Sequence, residues 1–490
     1  MQIRKKIFPI AVLILLLYLP FFTHLSLQPL RIWDETRQAF NAYEMTMDGD
    51  MIVTKYNHQP DMWNLKPPLL VWCQAALMKV FGPWELAVRL PSALSGFLVS
   101  LLIFVFSWKY FNRFWLGFIA ALIIPTVRGY MEYHGARSGD YDSMLTLFTV
   151  FYSLSFFLFF DSGKWKYLYA GMIGLTLAVM TKGVAGLLFA PAIALAAIFF
   201  GKVKTILTSR HFYISLLFFL IVVCGYYLLR EHYNPGYWQA VLDNELGGRY
   251  LEVIEGHEGG FWFYFEKIHQ WQFAYWALLI PVGIVTGILD NDKNFRKLIL
   301  YVTGVVIIFA LILSISVTKI EWYIYQIVPL LALLIATFIY YVFTLLEKVE
   351  TPGLLKYKIL PYVFLLVITY RPYKEIFDVT YLAPEKEWDW SGYRMSYYLR
   401  DLAQGKIKLT EPVHVVFEGQ AFHLDYYVML ANRKEKNKAD VKPKEDLANG
   451  DLIICSQDLV DRYVNDHYNL DHISHDDHLF LYRVTGRKTQ

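Results

Sequence analysis

Carboxylates stand at the ends of apolar stretches in this chain, where a charge has few structural reasons to be. Asp34 and Glu35 are adjacent and follow the first apolar stretch, while Asp140 and Asp142 come just before a later one. Charges beside a membrane are energetically expensive and usually mark a function or a pairing. These acids are therefore candidates for chemistry on a sugar or on an attacking hydroxyl.

Basic side chains occupy the same kind of position. Lys66 directly precedes Pro67 and Pro68, and Lys182 stands between two apolar stretches. The two prolines disfavour helix at Lys66 and hold it in an extended segment, where its ammonium suits a phosphate at the membrane surface. Further basic or aromatic polar groups in such segments are Arg37, Arg249, Lys319 and Tyr323.

Each of these residues also has a structural alternative. Asp34 would cap a helix by accepting hydrogen bonds from backbone N–H groups, and Lys66 would simply extend its ammonium to the membrane surface. His257 and Glu258, together with the acids, leave open a divalent metal site. Their spacing is not diagnostic, and His257 suits a loop hydrogen bond better. The pattern gains weight only if the separate segments converge on one cavity.

The composition indicates a membrane protein. Of the 490 residues, 56% are hydrophobic and only 18% are charged, whereas about a quarter of a soluble protein is charged. The net charge of +3 gives no indication of nucleic-acid binding, and the three widely spaced cysteines form neither a disulfide framework nor a metal motif. About eleven apolar stretches approach the roughly 20 residues that cross the hydrocarbon core. They are 8–26, 88–108, 114–132, 143–160, 167–181, 184–200, 212–230, 270–289, 298–317, 323–346 and 359–370.

Lysine and arginine predict the orientation of these stretches, because basic residues concentrate on the cytoplasmic side. Arg4, Lys5 and Lys6 place the N-terminus in the cytoplasm, and the alternate turns that follow are also basic. The segments that carry the candidate acids and bases then all lie on the outer face of the membrane.

The chain divides into two predicted domains. Residues 1–370 form an all-α, polytopic membrane domain, whose first outer loop at 27–87 contains interfacial helices. Residues 371–490 are more polar and combine strand-like runs with helix-like stretches, which predicts a small soluble α/β domain outside the membrane. The strand-like runs are 414–417, 451–455 and 478–484.

At these residues the chain resembles the superfamily of protein O-mannosyltransferases and aminoarabinose lipid A transferases, and it is most similar in pattern to the bacterial lipid A transferases. Its motifs occur in the order and spacing of that superfamily. They are DETR at 34–37, GD at 49–50, KPPL at 66–69, D-x-x-L at 142–145, TKG at 181–183, N-x-x-x-x-R at 244–249 and T-K-x-x-x-Y at 318–323.

The resemblance implies the GT-C glycosyltransferase fold, a polyprenyl-phosphate sugar donor and inversion at the anomeric carbon. It places the catalytic aspartate of the first loop at Asp34, a residue that helps to place the acceptor at Glu35, and the second acid at Asp142. The implied donor-phosphate contacts are Lys66, Arg249 and Tyr323, with Arg37, Lys182 and Lys319 as further ones. The glycine pair before Arg249 departs from the pattern expected around that arginine.

The predicted function is therefore transfer of a sugar to lipid A, an envelope glycan or a protein. A hydroxyl acceptor would make Asp34 a sensible general base, whereas an anionic phosphate acceptor needs none. Two other classes remain as alternatives. A transporter places ionisable groups near mid-membrane and often has repeated halves, and this chain shows neither; a non-enzymatic assembly scaffold would place the function in 371–490.

Overall fold

Apolar helices form the body of the protein in a computed structural model, which describes residues 4–31, 33–248, 256–349, 359–385, 390–433, 438–476 and 479–488. Among these residues, six helices are long and apolar enough to cross a membrane. They are Glu85–Phe111, Tyr141–Ser162, Trp165–Leu187, Arg210–Tyr233, Lys293–Ile315 and Glu321–Lys348.

Shorter or more polar helices occupy the remaining predicted spans. They are Arg4–Phe22, Phe114–Ile123, Ala190–Phe199, Leu279–Ile288 and Leu360–Leu382. A helix therefore lies at each predicted stretch, which confirms a helical, polytopic membrane protein, while the number of spans stays a prediction. The predicted domain boundary at residue 370 falls inside the last of these helices.

Short helical segments connect the spans. They are Arg128–Met131, Val203–Leu207, Tyr237–Val241 and Phe263–Lys267. Several of them lie at one end of the helix bundle, beside the long loop that follows the first helix. The chemistry-bearing residues lie at this end.

The first loop is folded and packed. It contains the helices Asp34–Asp48 and Leu69–Phe81 and a two-stranded hairpin of Lys55–Tyr56 and Gln59–Pro60. The first loop helix buries Phe40 and Ala39 and ends at Gly49, whose φ of 77° is the left-handed conformation that a helix C-terminus favours. Because the loop has its own apolar core, it holds its polar side chains in fixed positions.

The C-terminal part forms a five-stranded sheet with helices. The strand order is Ala439–Val441, Val413–Val415, Leu452–Cys455, Leu479–Arg487 and Tyr468–Asp476, with the first two pairings parallel and the last two antiparallel. The helices are Trp390–Gln404, Phe422–Ala431 and Asp458–His467. The predicted runs lie on the three inner strands, whereas the two edge strands were not predicted. Edge strands pair on one side only and need less apolar sequence.

The sheet domain packs directly on the first loop. The Tyr427 hydroxyl donates to Glu85 at 2.6 Å and accepts from the Leu30 N–H at 2.9 Å. The Tyr426 hydroxyl donates to the Pro83 carbonyl at 3.0 Å, and its ring contacts Phe40 edge-on. The C-terminal domain therefore supports the loop that carries Asp34.

Candidate active site

A cavity of about 730 Å³ opens at the end of the bundle where the first loop lies. This is in the size range of small-molecule sites in proteins. Its walls come from segments far apart in the chain, including 33–35, 129–142, 182–188 and 313–326. The predicted site residues that line it are Asp34, Glu35, Lys66, Asp142, Lys182, His257 and Tyr323.

Asp34 is the first residue of its helix, and its side chain is 48% exposed. The preceding Trp33 has φ 80° and ψ −131°, a costly conformation for a residue with a side chain. Among the described residues, the Asp34 carboxylate accepts no capping hydrogen bond, so the structure does not use it as a helix cap. Its nearest ionic neighbour is His134, with 3.9 Å between Oδ2 and Nδ1.

Glu35 is buried, and its carboxylate is fully engaged. Arg89 donates to its two oxygens at 2.8 and 2.9 Å. The backbone N–H groups of Arg31 and Gly139 donate to it at 2.7 and 2.8 Å. Burial acts to raise the pKa of Glu35, but the adjacent Arg89 outweighs this effect and holds the pKa below its ordinary value. Glu35 thus links the first loop to the helix Glu85–Phe111, through Arg89, and to the turn that contains Gly139.

Glu35→Gln should destabilise the folded protein by about 3–5 kcal/mol, because it leaves Arg89 buried without its counter-charge. Since the folded pKa of Glu35 is lowered, the stability that it contributes is complete above its ordinary pKa of 4.5 and is lost as pH falls through the lowered value. Thermal unfolding in detergent between pH 3 and 7 measures this. The wild type should lose more stability on acidification than Glu35→Gln, and the exposed Glu375→Gln should behave as wild type. Equal pH dependence of wild type and Glu35→Gln would contradict this role.

Asp142 and Lys182 form a buried ion pair. The Lys182 Nζ donates to both carboxylate oxygens, at 2.7 and 2.6 Å. The same ammonium lies 5.4 Å from the centre of the Tyr323 ring. The pair therefore presents a fixed cation and a fixed anion at the inner wall of the cavity.

Lys66 lies at the cavity wall with 17% of its side chain exposed. Its Nζ is 3.4 Å from the Glu245 carboxylate. Pro68 directly precedes the helix Leu69–Phe81, so Lys66 lies in the irregular segment just before that helix. Lys66 is not helical, as the two prolines predicted.

Two predicted phosphate contacts lie outside the cavity. Arg37 donates two hydrogen bonds, at 2.9 and 2.8 Å, to the buried Asp61. The Lys319 ammonium donates to the carbonyls of Leu313 and Ser314 at 3.0 and 2.9 Å, and also to that of Ser316. These carbonyls end the helix Lys293–Ile315, so Lys319 serves as a cap. Arg249, another predicted contact, falls outside the described residues.

His134 lines the cavity and was not predicted as a site residue. Its Nδ1 is hydrogen-bonded to the Asp140 carboxylate, and its ring stacks on Trp322 with 3.8 Å between centroids. Asp140 also caps the helix Tyr141–Ser162 by accepting from the Tyr141 N–H at 2.6 Å. Burial acts to lower the pKa of His134, but Asp140 outweighs it and raises the pKa above its ordinary value. The only sequence signal was a histidine just upstream of two aspartates.

The Asp34, His134 and Asp140 side chains each have a ligand atom within 4.8 Å of the others. In the described part of the chain this is the one group of three such residues with that spacing, and it includes neither His257 nor Glu258. His134 and Asp140 bond directly to each other in this structure. Their arrangement is that of a proton-sharing pair, with the Asp34 carboxylate beside it.

The helical bundle with this loop-lined cavity has the fold of the GT-C class of membrane proteins. The structure superposes on that of ArnT from Cupriavidus metallidurans bound to undecaprenyl phosphate, with a TM-score of 0.71 over 96% of this chain and 97% of that chain, at 15% identity. The same protein in the apo state gives a TM-score of 0.69. The predicted GT-C fold is therefore confirmed.

Sequence comparisons agree with this class. Residues 65–227 match the family described as dolichyl-phosphate-mannose-protein mannosyltransferase. The chain is 25% identical over 333 residues to the undecaprenyl phosphate-alpha-4-amino-4-deoxy-L-arabinose arabinosyl transferase of Aeromonas hydrophila, and 27% identical over 350 residues to that of Edwardsiella ictaluri. These matches cover 65% and 68% of this chain but only 58% and 60% of the two transferases. The resemblance predicted from the first-loop motifs is confirmed.

Proposed function

We propose that the protein is a membrane glycosyltransferase that moves a sugar from a polyprenyl-phosphate donor to lipid A, an envelope glycan or a protein, with inversion. The observation that carries this proposal is the cavity at the end of the bundle, where the cations of Lys66 and Lys182 lie on the same walls as the acids Asp34 and Asp142. A sugar on a lipid phosphate needs both kinds of group. The relatives' names, which specify an undecaprenyl-phosphate sugar, support the same donor class.

The mechanism that these residues support is a single in-line displacement. The acceptor oxygen attacks the first carbon of the sugar as the bond from that carbon to the phosphate oxygen breaks, which inverts the configuration. Lys66 and Lys182 stabilise the charge that grows on the leaving phosphate, since preorganised charges often contribute more to catalysis than any other effect. The half-exposed Asp34 carboxylate faces the reacting sugar and stabilises positive charge on its ring.

Purified protein incubated with labelled polyprenyl-phosphate sugars tests this function. The panel includes 4-amino-4-deoxy-arabinose, and isolated membranes serve as the acceptor. We expect release of free polyprenyl phosphate in step with transfer of label to the membranes. Movement of the intact donor across a vesicle membrane without that release would instead indicate a transporter. A protein that releases no polyprenyl phosphate from any donor would favour the scaffold alternative.

Lys66→Ala should reduce transfer on the order of 100-fold, the loss typical of one preorganised charge contact. If Lys66 binds the donor phosphate in the ground state, the loss appears as a raised KM for the donor. If it stabilises the leaving phosphate, the loss appears in kcat. Initial rates against donor concentration distinguish the two, with the exposed Lys79→Ala as control. Values of both parameters within about twofold of wild type would remove Lys66 from the phosphate site.

We also propose that the N-terminus is cytoplasmic and that the C-terminal domain and the cavity face the periplasm. The support is the concentration of lysine and arginine in the turns at the opposite end of the bundle. A phosphatase that is active only in the periplasm, fused after the C-terminal residue, should be active in intact cells. A cytoplasmic reporter that is active at the same junction would reverse the orientation.

A further inference from the structure

The pair formed by His134 and Asp140 has no role in the mechanism above, although both residues line the cavity beside Asp34. Asp140 is held by three neighbours, because it accepts from His134, from the Tyr141 N–H at 2.6 Å and from the Gln38 side chain at 3.1 Å. The imidazole is held on its face by Trp322. The ring of His134 is thus held on its face by Trp322 and at its Nδ1 edge by Asp140.

This geometry determines which nitrogen of His134 is available. A neutral imidazole carries its proton on one nitrogen and has a lone pair on the other. The Asp140 carboxylate accepts only, so it keeps the proton on Nδ1 and leaves the lone pair on Nε2. Among the residues that the structure describes, none hydrogen-bonds to Nε2, and the side chain is 18% exposed in the cavity wall.

We propose that His134 is the general base of the transfer reaction, that Asp140 is its positioning residue, and that the acceptor is therefore a hydroxyl group rather than a phosphate. The inference rests on the proposed glycosyltransferase function. In the reaction, Nε2 takes the proton of the acceptor hydroxyl while its oxygen bonds to the first carbon of the sugar. The bond from that carbon to the phosphate oxygen breaks, the electron pair leaves on the phosphate, and His134 afterwards returns its proton to solvent.

Two chemical arguments favour a histidine base and a hydroxyl acceptor. A phosphate acceptor is already ionised at neutral pH, so a general base would have no function in that reaction. A general base is most effective when its pKa is close to the working pH. The ordinary pKa of a histidine, about 6.5, meets this condition. Asp34 is then free to stabilise charge on the sugar.

The test uses the full-length protein with its labelled polyprenyl-phosphate sugar donor and isolated membranes as the acceptor pool. His134→Ala should lower the transfer rate by about 100-fold or more, as removal of a general base does, while the donor Kd stays within about threefold of that for wild type. Free imidazole should restore part of the rate, because the variant leaves a ring-sized gap between Trp322 and Asp140. The matched control is His58→Ala, an exposed histidine of the first loop, which should show neither effect.

The product linkage gives an independent result. A sugar on a hydroxyl is an O-glycoside that survives mild acid, whereas a sugar on a phosphate is released by it, so the proposal expects an acid-stable product. Asp140→Asn should lower kcat more than it changes the donor KM, since asparagine still caps the helix but no longer holds the histidine as a base.

Three results would overturn the inference. They are an acid-labile product; a His134→Ala rate within about threefold of wild type; and a requirement for a divalent metal whose binding is lost in His134→Ala. Failure of the wild type to release polyprenyl phosphate would instead refute the glycosyltransferase function, so the two failures are distinguishable.

Discussion

Asp34→Asn should abolish sugar transfer, with a loss on the order of 100- to 1000-fold, and should leave the protein folded. The substitution removes one charge at nearly constant shape. The side chain is half exposed and accepts no capping hydrogen bond in the described structure, so the substitution breaks no helix cap there. The lost rate therefore reports chemistry rather than packing.

The measurement for Asp34→Asn combines transfer rate with thermal unfolding in detergent. Asp48→Asn is the matched control, because Asp48 ends the same helix, is exposed and pairs with Lys55 outside the cavity. We expect the melting temperature of Asp34→Asn to lie within about 2 °C of that of wild type, since surface substitutions usually change stability by less than about 0.5 kcal/mol. A nearly normal transfer rate would show that the carboxylate has no part in the reaction.

Lys182→Met should impair both stability and transfer. Lys182 and Asp142 are buried together, with the ammonium bonded to both carboxylate oxygens. Removing one partner leaves the other charge buried and uncompensated, which costs about 3–5 kcal/mol. Transfer should fall as well, because the cation that faces the leaving phosphate is gone.

A double variant separates these two effects. Lys182→Met combined with Asp142→Asn removes both charges and should recover much of the lost stability, because no unpaired charge remains buried. Transfer should not recover. Lys204→Met, which changes an exposed lysine at the opposite end of the bundle, should change neither property. A single Lys182→Met variant as stable as wild type would mean that the ion pair is not buried as the structure describes.

The membrane class and the identity of several cavity residues were accessible from the sequence alone. Long apolar stretches are required by the thickness of the bilayer, so each one predicted a helix. Charges at the ends of such stretches are costly, so Asp34, Lys66, Asp142 and Lys182 were conspicuous. Backbone restraint by two prolines also marked Lys66. These signals are local, and local signals can be read without knowing the fold.

The C-terminal domain contains an element that local sequence signals do not predict. Its inner strands are apolar and were predicted, whereas Tyr468–Asp476 is polar along most of its length and forms a strand because Leu479–Arg487 offers it an edge. Strand pairing supplies hydrogen bonds that no property of the polar segment itself indicates.

The tertiary structure alone decided which charged groups face the cavity and which are structural. Arg37 and Lys319 satisfied the same local criteria as Lys66. However, Arg37 donates hydrogen bonds to Asp61, 24 residues away, and Lys319 donates to the carbonyls that end a helix. Lys182 forms an ion pair with Asp142, 40 residues away in the sequence. The pairing of His134 with Asp140 likewise depends on a loop that folds back. A side chain's role depends on the partner that the fold brings within bonding distance, and sequence spacing does not specify that partner.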